Sequence, residues 1–269
     1  MTRPILLSAI FLPSLISMCL AFYEFSTYPK NFDKLKKHFK TDRPTIGVVS
    51  MSNEDKRLFT DIPNTDNTSY VAASYVKLIE AGGARAVALM SDMPEDELQK
   101  VIESINGVIL SGGDGDLANS HYEKVARMVY KYSVKKLDEE GEIWPILGIC
   151  RGSQILPVIT DKKDFLIHTF SKNYSVPLDF TNQYKKSRMF GQASKGIIDT
   201  LMKKPITINA HLFSLPTQYF MKNQVLKEFY RVISTNKDRE GNGFISTYEG
   251  KIFSKLFSLP EFRGVRQLY

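Results

Sequence analysis

Cysteine is nearly absent from this chain of 269 residues: Cys19 and Cys150 are the two present. Cys19 lies in an apolar N-terminal stretch, so removal of that stretch leaves one thiol and excludes an internal disulfide framework. A single remaining thiol is either packed as a small hydrophobe or kept for its reactivity. Histidine is sparse too, limited to His38, His121, His168 and His211. No low-complexity tract and no internal repeat interrupts the chain, which argues against a disordered or solenoid protein. Apolar runs long enough to cross a bilayer are lacking after residue 20. The chain is 43% hydrophobic, enough for a substantial core in one large domain or two small ones, of which the single domain is the simpler reading.

The N-terminus reads Met1-Thr2-Arg3-Pro4 followed by apolar residues from Ile5 to Leu20, the charge-then-apolar layout of a secretory signal. Pro13 and several serines interrupt it, which disfavours a permanent membrane anchor. Residues 1–21 are therefore expected to be a cleaved leader, and the product to be extracellular or lysosomal/vacuolar. Residues 22–43 form a basic segment with Lys30, Lys34, Lys36, Lys37, Lys40 and Arg43, and residues 44–269 are expected to form a single α/β domain. The net charge of +7 and pI near 9.2 suit an anionic partner, although a solvated surface explains them equally well. Asn67-Thr68-Ser69 and Asn173-Tyr174-Ser175 fit the rule for N-glycan acceptors.

From Pro44 onward, strand-like runs alternate with helix-periodic segments, which predicts a mostly parallel central sheet flanked by helices. Strands are expected at 45–50, 85–90, 108–110 and 144–149. Helices are expected between them: one capped by Ser69 with Ala72, Tyr75, Leu78 and Ile79 on a face, one starting at Pro94 and stopped by Gly107, and one carrying Tyr122, Val125, Ala126, Val129 and Tyr130. A helix after Cys150 should be shortened or kinked by Pro157 within about two turns. Beyond Thr160 the pattern weakens to a strand near 205–210, an amphipathic stretch at 221–230, and a strand pair at 231–235 and 243–248.

The strongest chemical signal is Gly148-Ile149-Cys150-Arg151-Gly152-Ser153-Gln154 at a predicted strand-to-helix junction. A sharp turn there exposes the cysteine, and flanking glycines remove side chains that would collide. The helix N-terminus favours a thiolate, and the Arg151 amide is placed to donate to an oxyanion. Ser111-Gly112-Gly113 ends the preceding strand at the same sheet edge and offers a second amide, that of Gly113. An ordinary turn and a packed thiol are the bland alternatives.

These residues, with Ser69 to Arg85, Ser104 to Gly113, Ser187-Arg188-Met189-Phe190, Asn209-Ala210-His211 and Phe244 to Gly250, resemble the γ-glutamyl hydrolases, which share the class I glutamine amidotransferase-like fold. The resemblance implies hydrolysis of γ-linked glutamyl chains, such as folate polyglutamates, through a thioester on Cys150. It implies oxyanion-hole amides at Gly113 and Arg151, a substrate-binding role for His211, and no metal or organic cofactor. The partner would be a γ-glutamyl small molecule or peptide, with no nucleic acid and no stable membrane insertion, and a homodimer remains an option.

The chain departs from that family after Glu249-Gly250-Lys251. The family's general base sits in a Trp-His-Pro-Glu segment, and no histidine follows His211 here. A truncated C-terminal part is therefore expected, and the alternative function is a non-catalytic member that binds γ-glutamyl ligands or a partner. Ser111 stands where proline is usual, and Gln154 where close relatives carry an acid.

Overall fold

The structure, a computed structural model, describes residues 43–52, 69–113, 117 and 119–251. The expected leader, the basic segment up to residue 42, Asn67, Thr68 and residues 252–269 lie outside the described residues. Contacts group the described chain into two compact units, one reaching Asp164 and the other Phe165–Gly250.

The first unit is built on four parallel strands in the order β4-β1-β5-β6: β1 Thr45–Val49, β4 Arg85–Leu89, β5 Gly107–Leu110 and β6 Ile146–Gly148. β5 is buried along its whole length, as a strand covered on both faces must be, and its Gly-Val-Ile-Leu run has no polar alternation. A short antiparallel pair, β2 Met51–Ser52 with β3 Ser69–Tyr70, extends the end of β1. α1 spans Ala73–Ala81 and buries Leu78 and Ile79. Its N-cap is Ala72, without a side-chain cap. Ser69 does not cap it, because that residue is drawn into β3 and donates to Asp92 Oδ1 at 2.9 Å.

α2, Glu95–Ser104, begins after Pro94 with an acidic first turn that complements the helix dipole. It buries Leu98 and Ile102 completely, each stabilising by about 1.5–3 kcal/mol. The helix ends three residues before Gly107, which instead opens β5; Ile105 has already turned extended and reaches the core from there. α3, His121–Lys135, is capped by the Ser120 hydroxyl, which accepts from Glu123 N, while the Glu123 carboxylate accepts from Asn119 N. Tyr122, Val125, Ala126 and Val129 form its buried face, as the periodicity predicts.

The helix after Cys150, α4, runs Arg151–Asp161. Pro157 neither ends nor shortens it to two turns: every residue from Gln154 to Thr160 is buried, and this packing outweighs the missing amide. β6 is shorter than the expected 144–149, because Trp144 leaves the strand register to donate from Nε1 to the Ile105 carbonyl at 2.9 Å.

The second unit contains short pieces that sequence periodicity barely marks. β7 Ile167–His168 pairs with β11 Phe213–Ser214, and β8 Tyr174–Val176 pairs with β10 Thr207–Asn209, both antiparallel. A three-stranded sheet joins β9 Asp179–Phe180, β12 Tyr230–Lys237 and β13 Gly243–Gly250. α5 Lys195–Lys203 contributes Ile198 and Leu201 to a core with Leu178, Phe190 and Ile233. The amphipathic stretch at 221–230 divides into α6 Thr217–Lys222 and α7 Gln224–Phe229, because Asn223 caps the second by accepting from Leu226 N.

Two side chains fasten the tip of the β12–β13 hairpin to the loop before β8. The Asp238 carboxylate accepts from the amides of Phe170, Glu240 and Asn242 and from the Asn242 side chain. Burial raises the Asp238 pKa, but these donors prevail and bring it down to about 2. Arg239 donates to the carbonyls of Phe170, Lys172 and Asn173 and lies 4.6 Å over the Tyr174 ring.

Candidate active site

Cys150 sits between β6 and α4 with φ 54° and ψ −110°, a left-handed backbone that an ordinary side chain adopts only at a cost of roughly 1–3 kcal/mol. The surrounding bonds hold it there. Its carbonyl accepts from Ser153 N at 3.0 Å, from Gln154 N at 3.1 Å and from the Ser153 hydroxyl at 2.6 Å. Gly152 N donates to Ile149 O at 3.0 Å, so the first turn of the helix is wound tightly beneath the cysteine. The residue is exposed. The glycines are there for close approach: a Cβ at Gly152 would lie 2.1 Å from Leu110 O, and one at Gly148 would lie 2.4 Å from Gly152 O.

β5 and β6 are neighbours with Leu110 opposite Gly148, and Ile149 N donates to Leu110 O, so the Ser111–Gly113 loop arrives beside the cysteine. A Cβ on Gly112 would stand 2.7 Å from Cys150 Cβ. Three side chains hold that loop. Ser111 is buried and donates from its hydroxyl to Val49 O at 2.8 Å, Tyr122 donates its hydroxyl to Ser111 O at 2.7 Å, and Tyr75 accepts from Gly112 N at 2.7 Å. The Tyr75 amide contact therefore occupies Gly112, while the Gly113 amide makes no hydrogen bond among the described residues. Burial raises the Tyr75 pKa; the Gly112 donor offsets part of this, and the nearby Cys150 charge adds to it, so the phenol stays neutral.

Tyr75 and Tyr122 are the residues that sequence reasoning missed. Both lie on helix faces with core periodicity, and that pattern gives no sign of what a terminal hydroxyl reaches. Gln154 is buried on α4. Among the described residues no group of three or more His, Cys, Asp or Glu could hold a metal ion.

His211 belongs to the second unit, after β10. Asn209 donates its Nδ2 to Tyr174 O at 3.0 Å, which turns its Oδ1 toward His211 Nε2 at 3.1 Å and assigns the proton to that nitrogen. Nδ1 then accepts from the Ser214 hydroxyl at 3.0 Å, and Ser214 in turn accepts from Thr169 Oγ1 at 2.7 Å. Burial lowers the His211 pKa, partly offset by a backbone contact at Phe213. The same unit links two of the singled-out stretches: Arg188 donates from its amide to both Glu249 oxygens, from Nε to Oε1 at 2.6 Å, and from Nη2 to Gly250 O at 3.0 Å.

A four-stranded parallel sheet with flanking helices, whose strand runs into a cysteine with left-handed φ at a helix N-terminus, has the architecture of the class I glutamine amidotransferase-like fold. The sequence model of the Peptidase C26 family matches residues 44–162. The chain is 36% identical over 210 residues to the γ-glutamyl hydrolase of Mus musculus, covering 78% of this chain and 64% of that protein. It is 35% identical over 208 residues to the γ-glutamyl hydrolase of Homo sapiens (77% and 63%), and 33% identical over 210 residues to γ-glutamyl hydrolase B of Dictyostelium discoideum (77% and 59%). The chain is similar to γ-glutamyl hydrolases over most of its own length, and its matched part spans about 60% of the length of these curated relatives.

Proposed function

We propose that this chain hydrolyses γ-glutamyl bonds, as in folylpoly-γ-glutamates or related peptides, through a thioester on Cys150. The observation that carries the reading is the exposed, left-handed Cys150 at the head of α4 with the Ser111–Gly113 loop against it. In this scheme the Cys150 thiolate attacks the γ-amide carbonyl, and the amides of Gly113 and Arg151 receive the oxyanion. The C–N bond then breaks, and the amine leaves with a proton. Water attacks the thioester, releasing the γ-carboxylate and regenerating the thiol. Tyr75 supports the geometry by holding Gly112, which leaves Gly113 as the donor from that loop. His211, neutral and held through both ring nitrogens, is assigned to substrate binding rather than to taking the thiol proton.

Secretory routing by residues 1–21, with an extracellular or lysosomal destination, belongs to the same proposal. Among the described residues no helix is long and apolar enough to cross a membrane. The test is turnover of a γ-linked oligoglutamate by the purified chain, with Cys150→Ala as control. Turnover abolished by the substitution supports the thioester route, whereas equal turnover in both refutes it.

A second reading is a γ-glutamyl-binding protein without turnover. Binding of the oligoglutamate with no alkylation of Cys150 by an electrophilic glutamine analogue would establish it.

A further inference from the structure

We propose that Asn173 is an N-glycosylation site, an inference that rests on the secretory routing proposed above. The triplet Asn173-Tyr174-Ser175 has the acceptor pattern; such triplets are frequent, but the fold presents this one to solvent. Asn173 is exposed, and it stands just before β8 with φ 53°, in the left-handed region typical of an asparagine at a turn. Residues at i and i+2 share one face of a strand. Ser175 is exposed on the face that Asn173 leads into, whereas Tyr174 between them is half-buried and Val176 is buried.

The backbone of this segment is held from behind. The Arg239 guanidinium takes the carbonyls of Phe170, Lys172 and Asn173 at 2.8–3.1 Å and covers the Tyr174 ring, so the triplet is fixed with its two polar side chains outward. The Asn173 side-chain amide makes no hydrogen bond among the described residues, so a sugar on it breaks none of theirs. None of the groups assigned to the thioester chemistry, Cys150, Gly113 and Arg151, belongs to this unit.

The co-reactant is a lipid-pyrophosphate-linked oligosaccharide. The bond between its first sugar carbon and the pyrophosphate oxygen breaks, that carbon bonds to Asn173 Nδ2, the lipid pyrophosphate leaves, and the amide proton passes to a base of the transferring enzyme. The other triplet, Asn67-Thr68-Ser69, lies partly outside the described residues.

The experiment expresses the full chain in eukaryotic cells in two arms, behind its own first residues and behind an appended cleavable leader. The readouts are sensitivity to an amide-cleaving glycosidase in cell and medium fractions, and peptide mass spectrometry for the Asn-to-Asp conversion that this cleavage leaves. Conversion at Asn173 is expected in the appended-leader arm, lost in Asn173→Gln and in Ser175→Ala and retained in Ser175→Thr, which keeps the hydroxyl. Lumenal chain from that arm with Asn173 unconverted overturns the site. Conversion with the appended leader but none with the native N-terminus supports the site and refutes the routing, so the two failures are distinguishable.

Discussion

Replacing Gly152 with alanine tests whether the turn under Cys150 is as close to β5 as described. The new Cβ would lie 2.1 Å from Leu110 O and 2.7 Å from Leu110 C, where ordinary contact begins at 3.4 Å. Both are backbone atoms of a strand paired on either side, so α4 must shift instead, by roughly 1 Å. Overpacking of this kind costs about 1–3 kcal/mol, occasionally more, and the depth of the overlap places Gly152→Ala near 3 kcal/mol. Gly196 is a matched control: it too is the second residue of its helix, but a Cβ there meets only Ser194 Oγ at 4.0 Å. Gly196→Ala should be neutral or stabilise by up to about 1 kcal/mol. The assay is urea unfolding, with far-UV circular dichroism for both variants. Trp144 is the only tryptophan and packs in the unit of Gly152, so its fluorescence follows that unit specifically. With a urea slope of about 1–3 kcal/mol/M, Gly152→Ala should lower the midpoint by roughly 1–3 M. A midpoint unchanged, or raised as in Gly196→Ala, would refute the close approach of α4 to β5.

Tyr75→Phe removes the acceptor of Gly112 N and should cost about 1–3 kcal/mol of stability, read from the same Trp144 transition; no change would show that the loop is held by Ser111 and Tyr122 alone. Asp238→Asn should destabilise the second unit near neutrality. Because the Asp238 pKa falls from 3.8 to about 2, its stabilisation is complete above about pH 4 and is lost as pH falls through 2, so the variant should lose that part of the acid dependence. Circular dichroism of acid unfolding in both proteins checks this. His211, its pKa lowered by burial, should titrate by NMR below its ordinary 6.5. Folding then excludes a proton that the unfolded chain binds, so stability falls as pH drops below 6.5, and His211→Gln should flatten that slope.

The parallel sheet was legible because its strands are continuous apolar runs spaced by helices whose faces repeat every three or four residues. The reading failed where a side chain found a better partner than the local rule supplies. Ser69 exchanged a helix cap for Asp92, Trp144 left the strand for Ile105, and Pro157 was carried inside a helix by its buried neighbours. In the second unit, two-residue strands such as Ile167–His168 and Phe213–Ser214 are too short to show alternation, so their pairing could not be read. Near Cys150 the glycines were visible as a spacing, but the hydroxyls of Tyr75 and Tyr122 were not, because helical periodicity marks them as core.

The clasp between Arg239 and the carbonyls of Phe170, Lys172 and Asn173 also orders events in time. Its partners are 66 to 69 residues apart in the chain, so during synthesis at about 5–20 residues per second the earlier segment waits roughly 3–14 s for the arginine. Through that interval the segment can pair with β10, which is made earlier, but the carbonyls of Phe170, Lys172 and Asn173 wait for their clasp, and any enzyme that needs this turn pliable meets it then. Once the hairpin forms, the same segment is frozen, and the opportunity closes with it.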